Sequence, residues 1–156
     1  MGIEIERKFL VSDTSFLKDL KGARCAQGYL AVGPPVAVRV RIMDGTATLN
    51  VKTATTAISR TEFEYEIPLE DAEGLLKSSC VGTPIDKTRY FVEHDGMTWE
   101  VDVFAGANTG LIVAEIELDN EDQPFSRPVW LGDEVSGDPR YLNTHLSQSP
   151  FTTWVT

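Results

Sequence analysis

The sequence predicts a mainly β protein (α+β) whose core is an eight-stranded antiparallel closed β-barrel, with a charged interior and a few short helices packed outside. Three observations support this fold class. About eight segments alternate apolar and polar residues, which is the period of a β-strand. Asp-Gly pairs join neighbouring segments, as in tight hairpins. Many short alternating strands with such turns are typical of a barrel, so we expect a single domain over residues 1–156.

The strands and helices are predicted in a simple order along the chain. The predicted strands are roughly Ile3 to Val11, CAQGYLAV, VAVRVRIMD, TATLNVKTA, TEFEYEIP, DKTRYFVEH, MTWEVDVF and GLIVAEIELD. Asp44-Gly45 and Asp95-Gly96 are the expected hairpin turns. Short helices are expected near Asp13 to Leu20, over LEDAEGLLKSS, and near Pro139 to Ser147. Asp138 would cap the last helix, and Pro139 suits its first position.

Composition limits the classes of partner. The chain has 156 residues and a formal net charge of −10, which disfavours a nucleic-acid backbone as a partner. It shows no signal peptide and no apolar run long enough to cross a bilayer. Cys25 and Cys80 form no CxxC spacing, and the pattern favours a reducing, cytoplasmic setting. An oligomer is possible, but the sequence does not indicate its size.

The charged residues of the strands fall on one face in pairs of like sign. Because successive side chains of a strand point to opposite faces, residues two apart share a face. The sets are Glu4, Glu6 and Lys8; Arg39 and Arg41; Lys52; Glu62, Glu64 and Glu66; Lys87 and Arg89; Glu100 and Asp102; and Glu115 and Glu117. For a single strand, a solvated outer face is the simpler interpretation. Over seven strands we favour the inverse arrangement, in which the charged faces line a wet cavity.

Such a cavity would suit a phosphate chain that carries a divalent ion. An eight-stranded barrel can hold one small ligand. The cations Lys8, Arg39, Arg41, Lys52, Lys87 and Arg89 would grip phosphate oxygens. The carboxylates would repel one another unless cations neutralised them, and hard ions such as Mg²⁺ take oxygen ligands and share phosphates. The expected cofactor is therefore Mg²⁺ or Mn²⁺.

These residues resemble the motifs of the CYTH superfamily, the triphosphate tunnel metalloenzymes, and in particular its small bacterial members similar to inorganic triphosphatases. The match runs in order from ExExK at Glu4, Glu6 and Lys8 to ExE at Glu115 and Glu117, and covers nearly the whole chain. The resemblance implies that Glu4, Glu6 and Glu117 hold a first metal ion. It implies catalytic and phosphate-binding roles for Lys8, Arg39, Arg41, Lys52, Lys87 and Arg89. Glu100, Asp102 and Glu115 would belong to the metal site, and Glu62 and Glu64 would belong to the substrate-binding site. These five carboxylates would help to hold a second ion or would orient water and the basic residues.

The expected activity is metal-dependent hydrolysis of inorganic triphosphate, a reaction at a phosphoanhydride bond. Adenylyl cyclase of the class IV type and thiamine triphosphatase are enzyme alternatives. TATTAIS, around Lys52, offers small residues and no aromatic platform, which favours a small substrate. A module that binds polyphosphate or nucleotide without catalysis is an alternative of another class. It would not need so many inward carboxylates.

Overall fold

The computed structural model describes residues 2–154 and places them in and around one closed β-sheet. The predicted domain also included Met1, Val155 and Thr156, which lie outside the described residues. The strands are β1 Gly2–Val11, β2 Ala23–Ala31, β3 Val36–Met43, β4 Thr46–Ala54, β5 Ser59–Ile67, β6 Val81–His94, β7 Met97–Phe104, β8 Ile112–Glu117 and β9 Leu131–Glu134. The α-helices are α1 Leu69–Ser78 and α2 Asn143–Gln148, and 3-10 turns cover Ser15–Leu17, Gly106–Asn108, Pro139–Tyr141 and Phe151–Thr153.

The sheet closes into the predicted eight-stranded antiparallel barrel. Its strand order is β5-β4-β3-β2-β6-β7-β8-β1, and β1 returns to pair with β5. Gly2 to Ile5 of β1 pair with β5, whereas Glu6 to Leu10 pair with β8. β9 adds a short strand beside the end of β1. Because β1 pairs with both β5 and β8, its charged residues lie next to those of both strands.

Both predicted hairpin turns are present. Asp44 and Gly45 have φ of 53° and 82°, and Asp95 and Gly96 have φ of 48° and 76°. Positive φ at both central residues is the geometry of a type I′ turn, whose twist matches the flanking strands. These turns fix the registers of β3 with β4 and of β6 with β7.

Apolar side chains cover the outside of the barrel. Phe9, Trp99 and Ile116, which alternate with charged neighbours on their strands, are almost completely buried, and Phe125 and Trp130 from the connection after β8 pack against them. A second cluster packs the outer face of β3 and β4, including Val40, against α1. The outer faces therefore supply much of the core, and the charged faces are left to the interior, as predicted.

The C-terminal segment closes one end of the interior. Ile85, Phe104 and Val113 are each two residues from a charged inward residue on the same strand, and they pack with the fully buried Leu146 of α2. Gly82 permits this contact, because it has a φ of 72° and a Cβ there would lie 2.3 Å from the carbonyl oxygen of Ser147.

Two local predictions were wrong in extent, and one strand was not predicted. The expected helix near Asp13 to Leu20 is only the 3-10 turn Ser15–Leu17. The expected helix near Pro139 to Ser147 is divided into a 3-10 turn and α2, because Leu142 between them has an extended backbone. Asp138 does accept a hydrogen bond from the backbone N–H of Arg140, as a cap would. The strand β9 was not predicted, since its four residues carry no alternation.

Candidate active site

A cavity of about 500 Å³ lies inside the barrel, and most of the predicted site residues line it. The predicted residues in its wall are Glu4, Glu6, Lys8, Arg39, Arg41, Lys52, Glu62, Glu64, Arg89, Glu100, Glu115 and Glu117. They come from seven strands, and strand alternation turns each of them inward. Lys87 and Asp102 are not in the wall. They lie behind it, with almost no exposed surface.

Lys87 and Asp102 form a buried network with Arg89. The Lys87 Nζ lies 2.8 Å from Asp102 Oδ2, and Arg89 donates from Nε and Nη2 to the two Asp102 oxygens at 2.8 and 2.9 Å. Arg89 Nη1 also donates to Glu100 at 2.9 Å. Burial opposes ionisation of Asp102, but Lys87 and Arg89 outweigh it and hold its pKa well below the usual range. Burial lowers the pKa of Lys87 to about 8, because Asp102 only partly offsets the loss of solvent and Arg89 and Arg41 add repulsion.

Lys52 is also neutralised by carboxylates. Its Nζ lies 3.0 Å from Glu4 Oε1 and 3.2 Å from Glu62 Oε2. Burial raises the pKa of Glu4, but Lys52 outweighs it and the net shift is downward. Glu62 is the direct register partner of Lys52 on β5, so the pairing follows from the sheet itself.

Three of the predicted phosphate-binding cations form no salt bridge with a carboxylate in residues 2–154, and we call Lys8, Arg39 and Arg41 the cationic group; Arg60, which also lines the cavity, was not among the predicted residues. Lys8 Nζ donates to the backbone carbonyl of Tyr141 at 2.9 Å. Arg41 Nε donates to the amide oxygen of Gln27 at 3.1 Å, and Arg39 Nε is buried without an acceptor. Burial lowers the pKa of Arg41, and the neighbouring Arg39 and Arg89 add to that shift. The cationic group is therefore positive charge that no carboxylate of the described residues holds in a salt bridge, although Lys8 lies opposite Glu115 in the register of β1 and β8.

Three carboxyl groups have raised pKa values because nearby positive charge does not offset burial and repulsion, and we call Glu6, Glu100 and Glu117 the acidic group. Burial raises the pKa of Glu6 well above its usual value, and Glu115 and Glu4 raise it further. Burial also raises the pKa of Glu100 and of Glu117; Arg89 only partly opposes the shift at Glu100, and Glu4 adds to the shift at Glu117. These side chains would be stabilised as anions by an added cation.

Glu115 differs from the acidic group although it lines the same cavity. Burial opposes its ionisation, but Lys8, its register partner on β1, and a hydrogen bond from Glu6 outweigh burial and lower its pKa to about 2. A raised pKa at Glu6 beside a lowered pKa at Glu115 is the pattern expected where two neighbouring carboxyl groups share one proton.

The donor set fits a hard divalent ion that arrives with phosphate. Within the described part of the chain, no three His, Cys, Asp or Glu side chains converge closely enough to hold an ion by themselves. Mg²⁺ is commonly held by one or two carboxylates together with waters and substrate phosphates, not by an all-protein cage. The crowded carboxyl groups of the acidic group supply oxygen ligands of that kind.

The cavity wall contains residues that the sequence patterns did not select. Asn50 lies two residues before Lys52 on β4, so strand alternation could have placed it. Ser136, Tyr141 and Asn143 belong to the C-terminal segment, where the sequence predicted a short helix but carried no feature that would place these residues in the cavity wall.

A barrel with a surplus of cations and of carboxylates around one internal cavity defines a class of protein that binds a polyanion inside a β-sheet. The CYTH domain family matches residues 2–142, and the chain belongs to this family. An inorganic triphosphatase from Acetivibrio thermocellus is 46% identical over 151 residues, which cover 97% of each chain. An inorganic triphosphatase from Nitrosomonas europaea is 37% identical over 150 residues, covering 94% of this chain and 97% of the relative.

The solved structures agree with this assignment. The crystal structure of the inorganic triphosphatase NE1496 has a TM-score of 0.67 and 35% identity to this chain, and the match covers 96% of this chain and 97% of that one. The family resemblance and the fold predicted from the sequence are therefore confirmed.

Proposed function

We propose that this protein is a divalent-metal-dependent inorganic triphosphatase, which hydrolyses the terminal phosphoanhydride bond of triphosphate. The observation that carries the proposal is the charge arrangement of one cavity, where the cationic group lacks a salt-bridged anion and the acidic group lacks enough positive charge to offset its burial and repulsion. Triphosphate with a divalent ion supplies both at once. The names of the relatives from Acetivibrio thermocellus and Nitrosomonas europaea support the same substrate.

We assign the phosphate contacts first to the cationic group. Arg39 and Arg41 have guanidinium forks that can bind phosphate oxygens in bidentate fashion, and Lys8 acts as a point charge. Arg89 and Lys52 also line the cavity, but each is already paired with carboxylates. We therefore assign them to phosphate contacts that they share with those carboxylates. Lys87 and Asp102 lie behind the wall, and we assign them to orienting Arg89 and not to direct contact with substrate.

The metal ion would be held by the acidic group with Glu4 and Glu115, and Mg²⁺ and Mn²⁺ both suit these oxygen ligands. When bound, such an ion supplies charge neutralisation on the phosphates and a water of lowered pKa. Glu62 orients Lys52, and Glu64 faces the same cavity.

The chain's own residues position and stabilise the reacting groups. The water oxygen bonds to the terminal phosphorus while the bridging P–O bond breaks, which releases orthophosphate and pyrophosphate. Arg39 and Arg41 stabilise the charge on the phosphoryl oxygens, and the closed barrel limits bulk water around them. Catalysis then depends on positioning and electrostatics more than on a protein nucleophile.

A substrate panel tests this function. Purified protein is assayed for phosphate release from inorganic triphosphate, ATP and thiamine triphosphate, and for cyclic nucleotide from ATP, with Mg²⁺ or Mn²⁺ and with chelator. We expect metal-dependent release from inorganic triphosphate at the highest kcat/KM of the panel. Preference for ATP with cyclic product would support a cyclase, preference for thiamine triphosphate would support that alternative, and tight binding without turnover would support a binding module.

In the part of the chain that the structure describes, no helix is long and apolar enough to cross a membrane. Separately, and on composition alone, we propose a cytoplasmic setting and no nucleic-acid partner.

A further inference from the structure

The arginines on the two strands that flank β2, Arg41 on β3 and Arg89 on β6, are held by different kinds of side chain. Arg89 donates to Asp102 and Glu100, so its charge is compensated inside the protein. Arg41 donates from Nε to the uncharged amide of Gln27, its direct partner across β2 and β3. Its two terminal amino groups have no protein acceptor among residues 2–154. Arg41 is therefore fixed at Nε but keeps its full charge and its outer fork for a ligand.

Gln27 is fully buried and does not itself line the cavity. Its Oε1 also accepts from the thiol of Cys25 at 3.6 Å, and its Nε2 has no acceptor in the described structure. A buried amide donor without a partner costs free energy, so its retention needs a reason beyond packing. A carboxylate at this position could accept the same hydrogen bond from Arg41 but would neutralise it.

The neighbouring strands show the same surplus of donors. Arg39 Nε on β3 and Asn50 Nδ2 on β4 are also buried without acceptors, and Arg39 and Asn50 are direct register partners. With Gln27 Nε2 on β2, three adjacent strands thus carry buried donors that lack oxygens to bind. Arg39 and Asn50 line the cavity and Gln27 lies behind it, so this side of the barrel is short of acceptors, as expected where the ligand brings acceptor atoms.

We infer that Gln27 is a positioning residue for the proposed reaction, which orients the Arg41 guanidinium toward phosphate without cancelling its charge. The inference rests on the proposed function, because it names the phosphate chain as the ligand of Arg41. In this role Gln27 holds Arg41 through an uncharged amide, so that Arg41 keeps its positive charge. A residue that only completed the packing would not affect that charge.

Two substitutions at one position distinguish these roles. Gln27→Glu keeps an acceptor oxygen for Arg41 and adds a negative charge, whereas Gln27→Met keeps the volume and removes the acceptor. Binding of inorganic triphosphate is measured by calorimetry without divalent ions, and kcat and KM are measured with Mg²⁺. Because the added carboxylate would neutralise Arg41 and weaken its charge-assisted contact with phosphate, we expect Gln27→Glu to weaken binding by about 10- to 100-fold. We expect Gln27→Met to weaken it less and to lower mainly kcat.

A purely structural role predicts the reverse order, because glutamate preserves the hydrogen bond and methionine does not. Gln123→Glu makes the same chemical change in the connection after β8, outside the cavity wall, and is expected to keep wild-type kinetics. Wild-type affinity in Gln27→Glu, or a larger binding loss in Gln27→Met, would overturn the inference.

A second comparison covers the case in which Gln27→Glu does not fold. If Gln27 acts through Arg41, Gln27→Met should have little further effect on binding in an Arg41→Ala background. A full additional loss there would contradict the inference. If the wild-type protein binds triphosphate but does not hydrolyse it, the proposed function fails, whereas the order of the binding affinities still decides the role of Gln27.

Discussion

Arg89 and Arg39 carry the same charge in the same cavity, but their surroundings differ. Two carboxylates hold Arg89, whereas Arg39 has no carboxylate partner in residues 2–154 and a buried Nε without an acceptor. A buried arginine that is not compensated by the protein costs stability, and an anionic ligand would recover that cost on binding. The residue-level observation thus separates cations that maintain the fold from cations that are available to substrate.

Arg39→Ala is expected to lower kcat/KM for inorganic triphosphate by about 10²–10³, as for the loss of other preorganised donors to a transition state. Because Arg39 is not paired in the structure, its removal should not lower the free energy of unfolding as the loss of a paired charge would. Steady-state kinetics and urea unfolding measure the two effects. Arg24→Ala is the control, since Arg24 is largely exposed and pairs with the half-exposed Asp86 outside the cavity wall. Equal activity losses in both variants would contradict the assignment.

Lys87 gives a pH dependence of stability. Its pKa is lowered from 10.5 to about 8. Between about pH 8 and pH 10.5, Lys87 is protonated in the unfolded chain but has lost its proton in the folded protein. Because the unfolded state then binds more protons, the contribution of Lys87 to the free energy of unfolding rises with pH. Each pKa unit corresponds to about 1.4 kcal/mol.

Urea unfolding of the wild type and of Lys87→Met across this range should therefore show a steeper rise with pH in the wild type. Lys77→Met makes the same change at an exposed lysine of α1 and should keep the wild-type slope. If the free energy of unfolding rose equally with pH in the wild type and in Lys87→Met, the lowered pKa of Lys87 would not be the cause of the rise.

At the level of elements, α2 has a larger role than its six residues suggest. Leu146 is fully buried among Ile85, Phe104 and Val113 at one end of the interior. Just before α2, the carbonyl of Tyr141 accepts a hydrogen bond from Lys8, so the C-terminal segment also positions a member of the cationic group. Packing of this segment and the geometry of the site are therefore connected.

Leu146→Ala is expected to reduce the free energy of unfolding by about 2–5 kcal/mol, the usual cost of such a cavity. We also expect a higher KM, because Lys8 loses a fixed neighbour when the segment loosens. Leu20→Ala is the matched control, since Leu20 is 41% exposed and lies outside the cavity wall. If Leu146→Ala lowered the free energy of unfolding no more than this control does, α2 would not stabilise the end of the barrel.

At the scale of the whole molecule, a chain with a net charge of −10 binds a polyanion only if its cations are concentrated. The barrel concentrates them inside, next to an equally concentrated set of carboxylates. On the proposed function, substrate would compensate the cationic group and a metal ion the acidic group within one cavity, so we expect each to favour binding of the other.

Thermal unfolding tests this coupling. A ligand present at 100 times its Kd stabilises the folded state by about 2.7 kcal/mol. We expect Mg²⁺ or Mn²⁺ together with triphosphate to raise the Tm more than the sum of the separate shifts. Glu6→Gln should reduce the metal-dependent part, whereas Glu73→Gln, an exposed change on α1, should not. Independent, additive shifts would contradict coupling between the two groups.

Much of the fold and of the site was predictable from strand alternation. Glu4, Glu6 and Lys8 share a face because residues two apart on a strand must, and the structure places all three in the cavity wall. The Asp-Gly turns were predictable for a similarly local reason, since both central residues of a type I′ turn need positive φ. The position of the C-terminal segment was not predictable, because it depends on apolar contacts of Leu146 with strands that are distant in the sequence.

The sequence by itself determined which side chains face inward, because that property is set by the local period of the backbone. Only the tertiary structure decided which charges compensate one another. Lys52 meets Glu4, 48 residues away, through closure of the barrel, and Asp102 meets Arg89 through the register of β6 and β7. Ion pairs form over a few ångströms, so strand register and barrel closure decide that Arg89 is neutralised while Arg39 and Arg41 are left for a ligand.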